Sequence, residues 1–368
     1  MKVWACILMS LLIISMGCKK KEETIKIGAA APLTGSIAKM GNDFKNGITI
    51  AIEEWNATGG IKGKKIELLM EDDANDPKQA VTVANKLVNS GVVAVIGHFT
   101  SSCSMAASDV YHKSNIPVIN ASSTNPQLTQ RGHKNLFRIC GRDDLQGLVA
   151  AQFALSQLNA KRIAIIHDKT TYGQGLADEF KKNIKSPAEV VYYGGVSQGD
   201  KDFKSVLTTI KSLNPDVLYF GGIYPEGGLI VRQARELGIT ASFISGDALS
   251  DVKFVEIAGE KAAEGSYITF SPDITKSKQA NDFMQKYKAR YGEPGPYSVY
   301  AYDATNIILK AIQDSPDTKG TSIIDTMRKS NFSGVLSNYK FDDKGDVTHM
   351  PYVVWKITGG KYIEHWKP

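Results

Sequence analysis

The feature that most restricts the fold of this chain is a regular alternation of short β-branched runs with longer amphipathic stretches. The strand-like runs lie at residues 25–28, 65–70, 92–96, 116–119, 162–166, 190–193, 217–220 and 243–244. The helix-like stretches between them lie at residues 44–55, 77–89, 145–158, 173–184, 203–213 and 227–237. This alternation predicts an α/β fold in which parallel sheets are covered by helices on both faces.

The length of the chain predicts two domains, because 368 residues exceed what one hydrophobic core usually organises. The segment 136–144 contains Gly141 among polar residues, and we predict that it is the first crossing between the domains. Beyond about residue 270 the pattern becomes mainly helical, and a final hairpin is predicted to turn at residues 342–345. The predicted late helices span residues 276–290, 297–314 and 322–329.

The N-terminus predicts export. Lys2 precedes an uncharged apolar run at residues 5–16, which is too short for a permanent membrane span and is typical of a signal peptide. The run ends in small residues before Cys18, a pattern that resembles the lipobox of bacterial lipoproteins and implies cleavage after residue 17 and lipidation of Cys18. Residues 18–23 would then be a tether, whose three lysines would reinforce a lipid anchor. An ordinary signal peptide followed by a chance cysteine is the alternative.

Charge argues against a nucleic-acid partner. The chain has 44 basic and 38 acidic side chains, and removing Lys2 and the three tether lysines leaves 40 against 38. A nucleic-acid-binding protein would normally carry a concentrated basic face, and the sequence contains no such basic run.

The cysteines leave one question open. Once Cys6 is removed with the signal peptide and Cys18 is lipidated, Cys103 and Cys140 remain. An exported pair can form a disulfide, but two distant cysteines can equally be small buried side chains. The sequence has no C-x-x-C motif or Cys/His cluster, so it predicts neither a metal nor a cofactor.

Two loops rich in small polar residues follow neighbouring strand-like runs. Residues 97–102 (GHFTSS) follow one run, and residues 120–126 (NASSTNP) follow the next. Hydroxyl groups and backbone N–H groups at the start of a helix can bind a carboxylate. In each loop taken alone, the serines and threonines could simply cap a helix, but two such loops at one sheet edge favour a binding site.

Several longer motifs resemble one known family. They are EDDANDP at 71–77, TNPQLTQRG at 124–132, AIIHDK at 164–169, YGQG at 172–175 and YPE at 224–226. Together with Gly97, His98 and the serines that follow, they are similar to the leucine/isoleucine/valine-binding proteins over essentially the whole mature chain. The resemblance implies the type I periplasmic-binding-protein fold, with two lobes joined by a three-segment hinge, that serves an ATP-binding-cassette importer. The implied lobes are 24–142 plus 271–350 and 143–270 plus 351–368.

The resemblance assigns ligand contacts in the first lobe. The serine that binds the ligand carboxylate corresponds to Ser101. The loop that contacts the carboxylate and the ammonium group corresponds to Ser122 and Thr124, with Ser123 between them. Met40 lies near a position where the family carries an aromatic residue against the ligand side chain, and methionine would keep that wall apolar and adaptable.

The resemblance also assigns contacts in the second lobe. Tyr172 and Tyr224 correspond to aromatic residues that close over the ligand, and Asp247 corresponds to a glutamate that binds the ammonium group. An aspartate that merely follows a strand in a turn is the alternative for Asp247. The disulfide cysteines of the family are absent, and their places are taken by Asn75 and Thr100.

These features predict a monomeric binding protein, located in the periplasm or at the cell surface, that closes on a branched-chain aliphatic amino acid and delivers it to a membrane permease. Another small amino acid, an amide or a sensory role for a membrane receptor are the alternatives. An amide, urea or aromatic acid would leave Asp247 without an ammonium partner. An enzyme is not predicted: His98 and His167 lie near strand ends, but a lone histidine after a strand is more often a hydrogen-bonded structural residue.

Overall fold

The computed structural model describes residues 23–275, 277–348 and 350–368. The predicted signal peptide and Cys18 lie outside the described residues. The strands are β1 Ile25–Ala31, β2 Ile66–Asp72, β3 Ala94–Gly97, β4 Val118–Asn120, β5 Leu136–Arg138, β6 Arg162–His167, β7 Glu189–Gly195, β8 Val217–Gly221, β9 Ser242–Ser245, β10 Tyr267–Phe270, β11 Phe332–Ser333, β12 Asn338–Tyr339, β13 Val353–Thr358 and β14 Lys361–Trp366.

The helices alternate with these strands. They are α1 Ala38–Ala57, α2 Pro77–Asn89, α3 Ser101–Lys113, α4 Gln127–Gln130, α5 Asp143–Ser156, α6 Thr171–Lys182, α7 Lys204–Ser212, α8 Tyr224–Glu236, α9 Val252–Ala258, α10 Glu260–Ala263, α11 Lys278–Tyr291, α12 Ser298–Asp314 and α13 Gly320–Lys329. A single 3₁₀ turn, Asp247–Leu249, follows β9. Within the described ranges no helix has the length and apolar character needed to cross a membrane.

Two sheets organise the molecule. The first has the order β2-β1-β3-β4-β5 and is entirely parallel. The second has the order β14-β13-β10-β9-β8-β6-β7, in which β6 to β10 are parallel and the β13–β14 hairpin is antiparallel. The predicted α/β fold with parallel sheets is therefore confirmed, with the C-terminal hairpin as its antiparallel exception.

Three segments connect the two sheets with their helices. The chain leaves the first sheet between β5 and α5, returns between β10 and α11, and crosses again between β12 and β13. The predicted first crossing was too long, because Leu136–Arg138 pairs with β4 as an edge strand.

The predicted position of the last hairpin is wrong. Residues 342–345 do form a turn, with Gly345 N donating to Asp342 O, but among the described residues this turn closes one isolated antiparallel bridge, between Phe341 and Val347. The true C-terminal hairpin turns at Gly359 and Gly360, both at positive φ. Two consecutive residues at positive φ form the tight loop whose twist matches paired strands, which explains why the strands form there.

Helix α1 shows how the sequence packs this fold. Met40, Phe44 and Ile48 recur at four-residue spacing and are buried, as expected for the core face of a helix. Between them, a side chain at Gly47 would come within 2.1 Å of the Ser298 carbonyl oxygen. The absence of a side chain at residue 47 therefore allows α1 to lie directly against α12.

Cys103 and Cys140 are both buried and free. This answers the question that the sequence left open, because the structure contains no disulfide between them. Burial raises the pKa of both thiols, so each behaves as a small apolar side chain rather than as a nucleophile.

The carboxyl ends of the two sheets face each other. Tyr224, at the start of α8 after β8, donates its hydroxyl to Ser36 O at 3.1 Å, in the loop after β1. Asn125, after β4, donates to Thr171 O at 2.7 Å, after β6. Loops that follow strands of one sheet thus contact loops that follow strands of the other, and they enclose a cleft at the edge where α/β sheets bind ligands.

Candidate functional site

The two polar loops of the first sheet are held together by a residue that the sequence analysis did not single out. Asn120 accepts from the backbone N–H groups of Ser122 and Ser123 at 3.0 and 2.6 Å, and its amide donates to His98 O at 2.9 Å. Ser122 Oγ also donates to Phe99 O at 2.7 Å. Since β3 and β4 are parallel neighbours, their loops emerge at one edge, and this network fixes them as one surface.

Helix α3 presents its N-terminus to this surface. Its N-cap residue Thr100 makes no side-chain cap hydrogen bond, so the first N–H groups of the helix are not capped from within. Ser101 follows, is buried, and accepts from Asn125 N at 3.3 Å. The alternative that these hydroxyls merely cap the helix is therefore not seen at α3.

Asp247 faces the same space from the second sheet. It lies on the 3₁₀ turn after β9 and is 2% exposed. Tyr172 donates its hydroxyl to Asp247 Oδ1 at 2.9 Å, and Tyr297 donates to Asp247 Oδ2. No cationic side chain among the described residues forms an ion pair with Asp247.

Burial raises the pKa of the Asp247 carboxyl, while hydrogen bonds from Tyr297, Gln146 and Tyr172 oppose that rise. A buried carboxylate costs free energy unless a positive group or several donors compensate it. The tyrosine hydroxyls compensate Asp247 in part. The ionised carboxyl group of Asp247 would therefore be stabilised by one positive group from a bound ligand.

These residues line a small cavity with about 350 Å³ of empty space, part of which opens to solvent. Its wall combines hydroxyl groups, one carboxyl group and apolar side chains. The lining residues are Ile37, Met40, Phe99, Thr100, Ser101, Ser122, Tyr172, Ile223, Asp247, Ala248 and Tyr297. Five predicted site residues are among them: Met40, Ser101, Ser122, Tyr172 and Asp247.

Three predicted site residues lie outside this lining. Ser123 Oγ is engaged with Ser104 Oγ at 2.8 Å and Phe99 O at 3.1 Å. Thr124 has a buried hydroxyl that forms no hydrogen bond among the described residues, and its carbonyl accepts from Asp143 N at 3.0 Å. The Tyr224 hydroxyl bonds to Ser36 O across the cleft, so this tyrosine contacts the opposing loop rather than the cavity.

Tyr297 lines the cavity and bonds to Asp247, and the sequence analysis did not predict it as a site residue. It was assigned to the start of a late helix, and it is in fact the N-cap of α12. Its ring packs edge-on against Phe99 at 5.6 Å between centroids. The available signal was the short run Pro294, Gly295 and Pro296 before an aromatic residue, which predicts a constrained loop that can present a side chain.

A larger groove lies beside this cavity, and its lining includes Phe270, Met284, Tyr300 and Trp355. Its polar groups are satisfied within the chain; Trp355 Nε1, for example, donates to Ser271 O at 2.9 Å. The groove contains no uncompensated buried charge that would orient a ligand. We therefore assign the site to the smaller cavity, where Asp247 provides that charge.

Comparison with known proteins identifies the family. Residues 24–361 match the family described as periplasmic binding protein. The chain belongs to that family. Leu/Ile/Val-binding protein homolog 2 of Brucella abortus (strain 2308) is 40% identical to this periplasmic binding protein over 343 residues, which are 92% of each chain. A leucine-, isoleucine-, valine-, threonine- and alanine-binding protein of Pseudomonas aeruginosa is 36% identical, covering 91% of this chain and 90% of the relative.

A solved structure supports the same assignment. The branched-chain amino acid transporter substrate binding protein LivJ of Streptococcus pneumoniae, in complex with isoleucine, is 32% identical with a TM-score of 0.87, covering 94% of this chain and all of that one. The periplasmic binding protein described here is a substrate-binding protein and not an enzyme. Its two candidate histidines fit that conclusion: the His98 ring bonds to Asp73 and Tyr111, and His167 Nδ1 accepts from Lys169 N.

Proposed function

We propose that this protein binds an aliphatic α-amino acid, a branched-chain one in particular, and delivers it to an ATP-binding-cassette importer. The observation that carries the proposal is the buried Asp247 carboxyl beside an apolar wall. An α-amino acid carries the ammonium group that this carboxyl lacks, a carboxylate that suits the uncapped start of α3, and a side chain for the apolar wall.

Each part of the ligand has a matching part of the cavity. Ser101 and the first turn of α3 would bind the carboxylate. Asp247, held by Tyr172 and Tyr297, would bind the ammonium group. Ile37, Met40, Phe99 and Ile223 would cover the aliphatic side chain.

The test is calorimetric titration of refolded, ligand-free protein, made without the signal peptide and tether, with single amino acids. We expect leucine, isoleucine and valine to bind with micromolar or tighter dissociation constants. Two leucine analogues provide matched controls, because the 2-oxo acid lacks the ammonium group and the alkylamine lacks the carboxylate. Tight binding of the 2-oxo acid would contradict the role of Asp247.

A broader cargo range is the second candidate. The Pseudomonas relative is named for binding threonine and alanine as well as branched-chain amino acids, and the flexible Met40 can repack around smaller side chains. One methylene changes binding by only about 1–3 kcal/mol. The same titration with alanine and threonine shows whether the site also accepts smaller amino acids. If no branched-chain amino acid binds, such amino acids are not the ligand.

We further propose that the protein is a monomer, exported to the periplasm or cell surface and anchored through lipid on Cys18. The lipobox-like sequence and the membership of a periplasmic family support this. Replacing Cys18 with Ser should release protein that no longer incorporates labelled palmitate. Incorporation that persists in Cys18→Ser would contradict the anchor.

Closure would involve two lobes, which we propose to be residues 24–142 plus 271–350 and residues 143–270 plus 351–368. The three connecting segments would act as the hinge. The ligand must bind the closed form more tightly than the open form for closure to follow. The contacts of Asp247 with Tyr172 and Tyr297, from opposite sides of the cleft, fit that requirement.

A further inference from the structure

A second carboxyl group lies behind the ligand site and makes none of the proposed ligand contacts. Asp143, in the first turn of α5, has an exposed fraction of 0%. Neither of its side-chain oxygens forms a hydrogen bond among the described residues. An ionised carboxylate in that position would be a buried charge without compensation, which native structures avoid.

The guanidinium group of Arg138, which lies near Asp143, bonds to other acceptors. Nε donates to Asp346 Oδ1, Nη1 donates to Ser123 O and Asn125 O, and Nη2 donates to Thr129 Oγ1 and lies 2.7 Å from Asp346 Oδ1. Arg138 therefore acts on Asp143 only through its charge and not through a hydrogen bond.

Other buried polar atoms on or near α5 also lack partners. Gln146 Oε1, one turn along α5, is an acceptor without a partner among the described residues, and the hydroxyl groups of Thr124 and Tyr219 are without partners too. None of these atoms supplies Asp143 with a positive charge or a hydrogen bond, and protonation would remove the cost of an unpaired buried carboxylate.

We propose that the carboxyl group of Asp143 stays protonated and neutral in the folded protein, which leaves Asp247 as the single uncompensated negative charge at the ligand site. The part of this proposal that concerns the ligand rests on the proposed function. The protonation state does not, because it is defined in the ligand-free protein.

The electrostatic surroundings agree with this state. Burial and the neighbouring charge of Asp247 raise the pKa of Asp143 well above its ordinary value of 3.8, although the nearby Thr124 hydroxyl and the charge of Arg138 act in the opposite direction. The position at the start of α5 favours a carboxylate, but a helix terminus offsets only a small part of the cost of full burial. The other titratable groups around Asp143 are Cys140, Asp144, Tyr172, Tyr219 and Tyr352.

Thermal unfolding of the ligand-free protein against pH tests the protonation state. As pH rises above 3.8, the unfolded chain releases the Asp143 proton while the folded chain keeps it, so the wild type loses stability relative to Asp143→Asn. We expect the melting temperature of Asp143→Asn to exceed that of the wild type, by a margin that widens from about pH 4 to neutrality.

Asp144→Asn is the matched control. Asp144 is the next residue, it pairs with Arg142 at 2.7 Å, and its pKa is lowered by that pair. Its replacement should therefore cost stability at neutral pH, with a cost that vanishes toward acid. If Asp143→Asn behaves like Asp144→Asn, the proposal is overturned.

Infrared spectroscopy gives a direct readout. The wild type at neutral pH should show the carbonyl stretch of a protonated carboxyl group, and Asp143→Asn should lack that band. The absence of the band in the wild type overturns the proposal, whatever the folding of the variant.

Ligand binding tests the charge assignment. Asp143→Asn keeps the side chain neutral, so its amino-acid affinity should stay within about threefold of the wild type. If Asp143→Asn loses binding as fully as Asp247→Asn, Asp143 is a second charge and the proposal fails. If the wild type binds no amino acid, only the proposed function fails, because the unfolding and infrared experiments need no ligand.

Discussion

The glycine before Asp247 explains how a short acidic side chain reaches the cavity wall. A side chain at Gly246 would come within 2.4 Å of Leu176 and 2.8 Å of the Tyr172 hydroxyl. With no side chain at residue 246, the main chain lies directly against Tyr172. Asp247 then projects between two tyrosines, and its carboxyl lies at the cavity wall without the additional methylene of a glutamate.

The charge of Asp247 should dominate ligand affinity. Asp247→Asn keeps the shape and removes the charge, so a bound ammonium group would lose its counter-charge in a buried site. Removing one partner of a buried ion pair costs about 3–5 kcal/mol, or roughly a hundredfold to several thousandfold in the dissociation constant. Calorimetric titration with leucine measures this change, with Asp144→Asn as the control that should leave affinity unaltered. Affinity within threefold of the wild type would exclude the ammonium role.

Affinity should also depend on pH in a defined direction. The pKa of Asp247 is raised above its ordinary value of 3.8, and only the ionised form attracts an ammonium group. Leucine affinity should therefore begin to fall at a pH above 3.8 as the solution is acidified, and then by about tenfold per pH unit. Titrations from neutral pH downward measure this, and affinity that stays constant down to pH 3.8 would contradict it.

At the site, the family resemblance assigned ligand contacts to residues in loops that follow strands. Ser101, Ser122 and Asp247 come directly after strands and line the cavity. Thr124 and Tyr224 also follow strands, but side-chain direction places one behind the cavity and the other across the cleft. Such directions depend on packing between distant segments, which local patterns do not encode.

Among the helices, α2 has clear start signals in its local sequence. Asp76 accepts from Lys78 N at 2.7 Å and Gln79 N at 2.9 Å, and Pro77 occupies the first helical position. Both features are typical of helix starts, and the predicted bounds of this helix agree with the observed Pro77–Asn89.

Removing this cap should destabilise the protein by a modest amount. Asp76→Ala leaves two backbone N–H groups without their acceptor and should lower the free energy of unfolding by about 1 kcal/mol. Asp76→Asn is the matched control, since asparagine caps equally well. Chemical denaturation measures both variants, and equal stability of the alanine and asparagine variants would contradict the capping role.

Elements that the sequence analysis missed are short or lie at an edge of their sheet. Strand β10 has four residues and β5 has three, and β5 is the edge strand of the first sheet. The C-terminal hairpin was missed because its two-glycine turn lies beyond a longer polar turn at residues 342–345. Pairing with distant strands, rather than local propensity, decides whether such segments become strands.

At the scale of the whole molecule, an ion pair spans the cleft. Lys39 on α1 contacts Asp251 after β9 at 2.9 Å and Asp43 on its own helix at 2.7 Å. Asp251 also caps α9 by accepting from Lys253 N. Because one partner lies on each side, the Lys39–Asp251 contact exists only while the two sides are together.

Breaking this contact should weaken ligand binding without touching the ligand. Lys39→Met removes a partly exposed cross-cleft ion pair that stabilises the closed form. Because the closed form is then less stable relative to the open form, the dissociation constant should rise by about threefold to tenfold. Lys45→Met is the control, because Lys45 lies on the same helix and, within the described ranges, its Nζ donates only to Asn42 Oδ1. Titration at low and high salt measures both variants; the wild-type advantage should shrink with salt. Equal affinity of Lys39→Met and the wild type at low salt would rule out this contribution to closure.

The two buried thiols make the mature fold convenient for site-specific labelling. Cys103 and Cys140 are shielded and unreactive, so a cysteine introduced on the surface would be the preferred target of a thiol-reactive dye. Gln198 lies opposite Asn75 across the cleft, with 3.5 Å between their side-chain atoms. A fluorophore attached through Gln198→Cys would change its environment as the cleft opens and closes, which would make the protein an optical reporter of its own ligand.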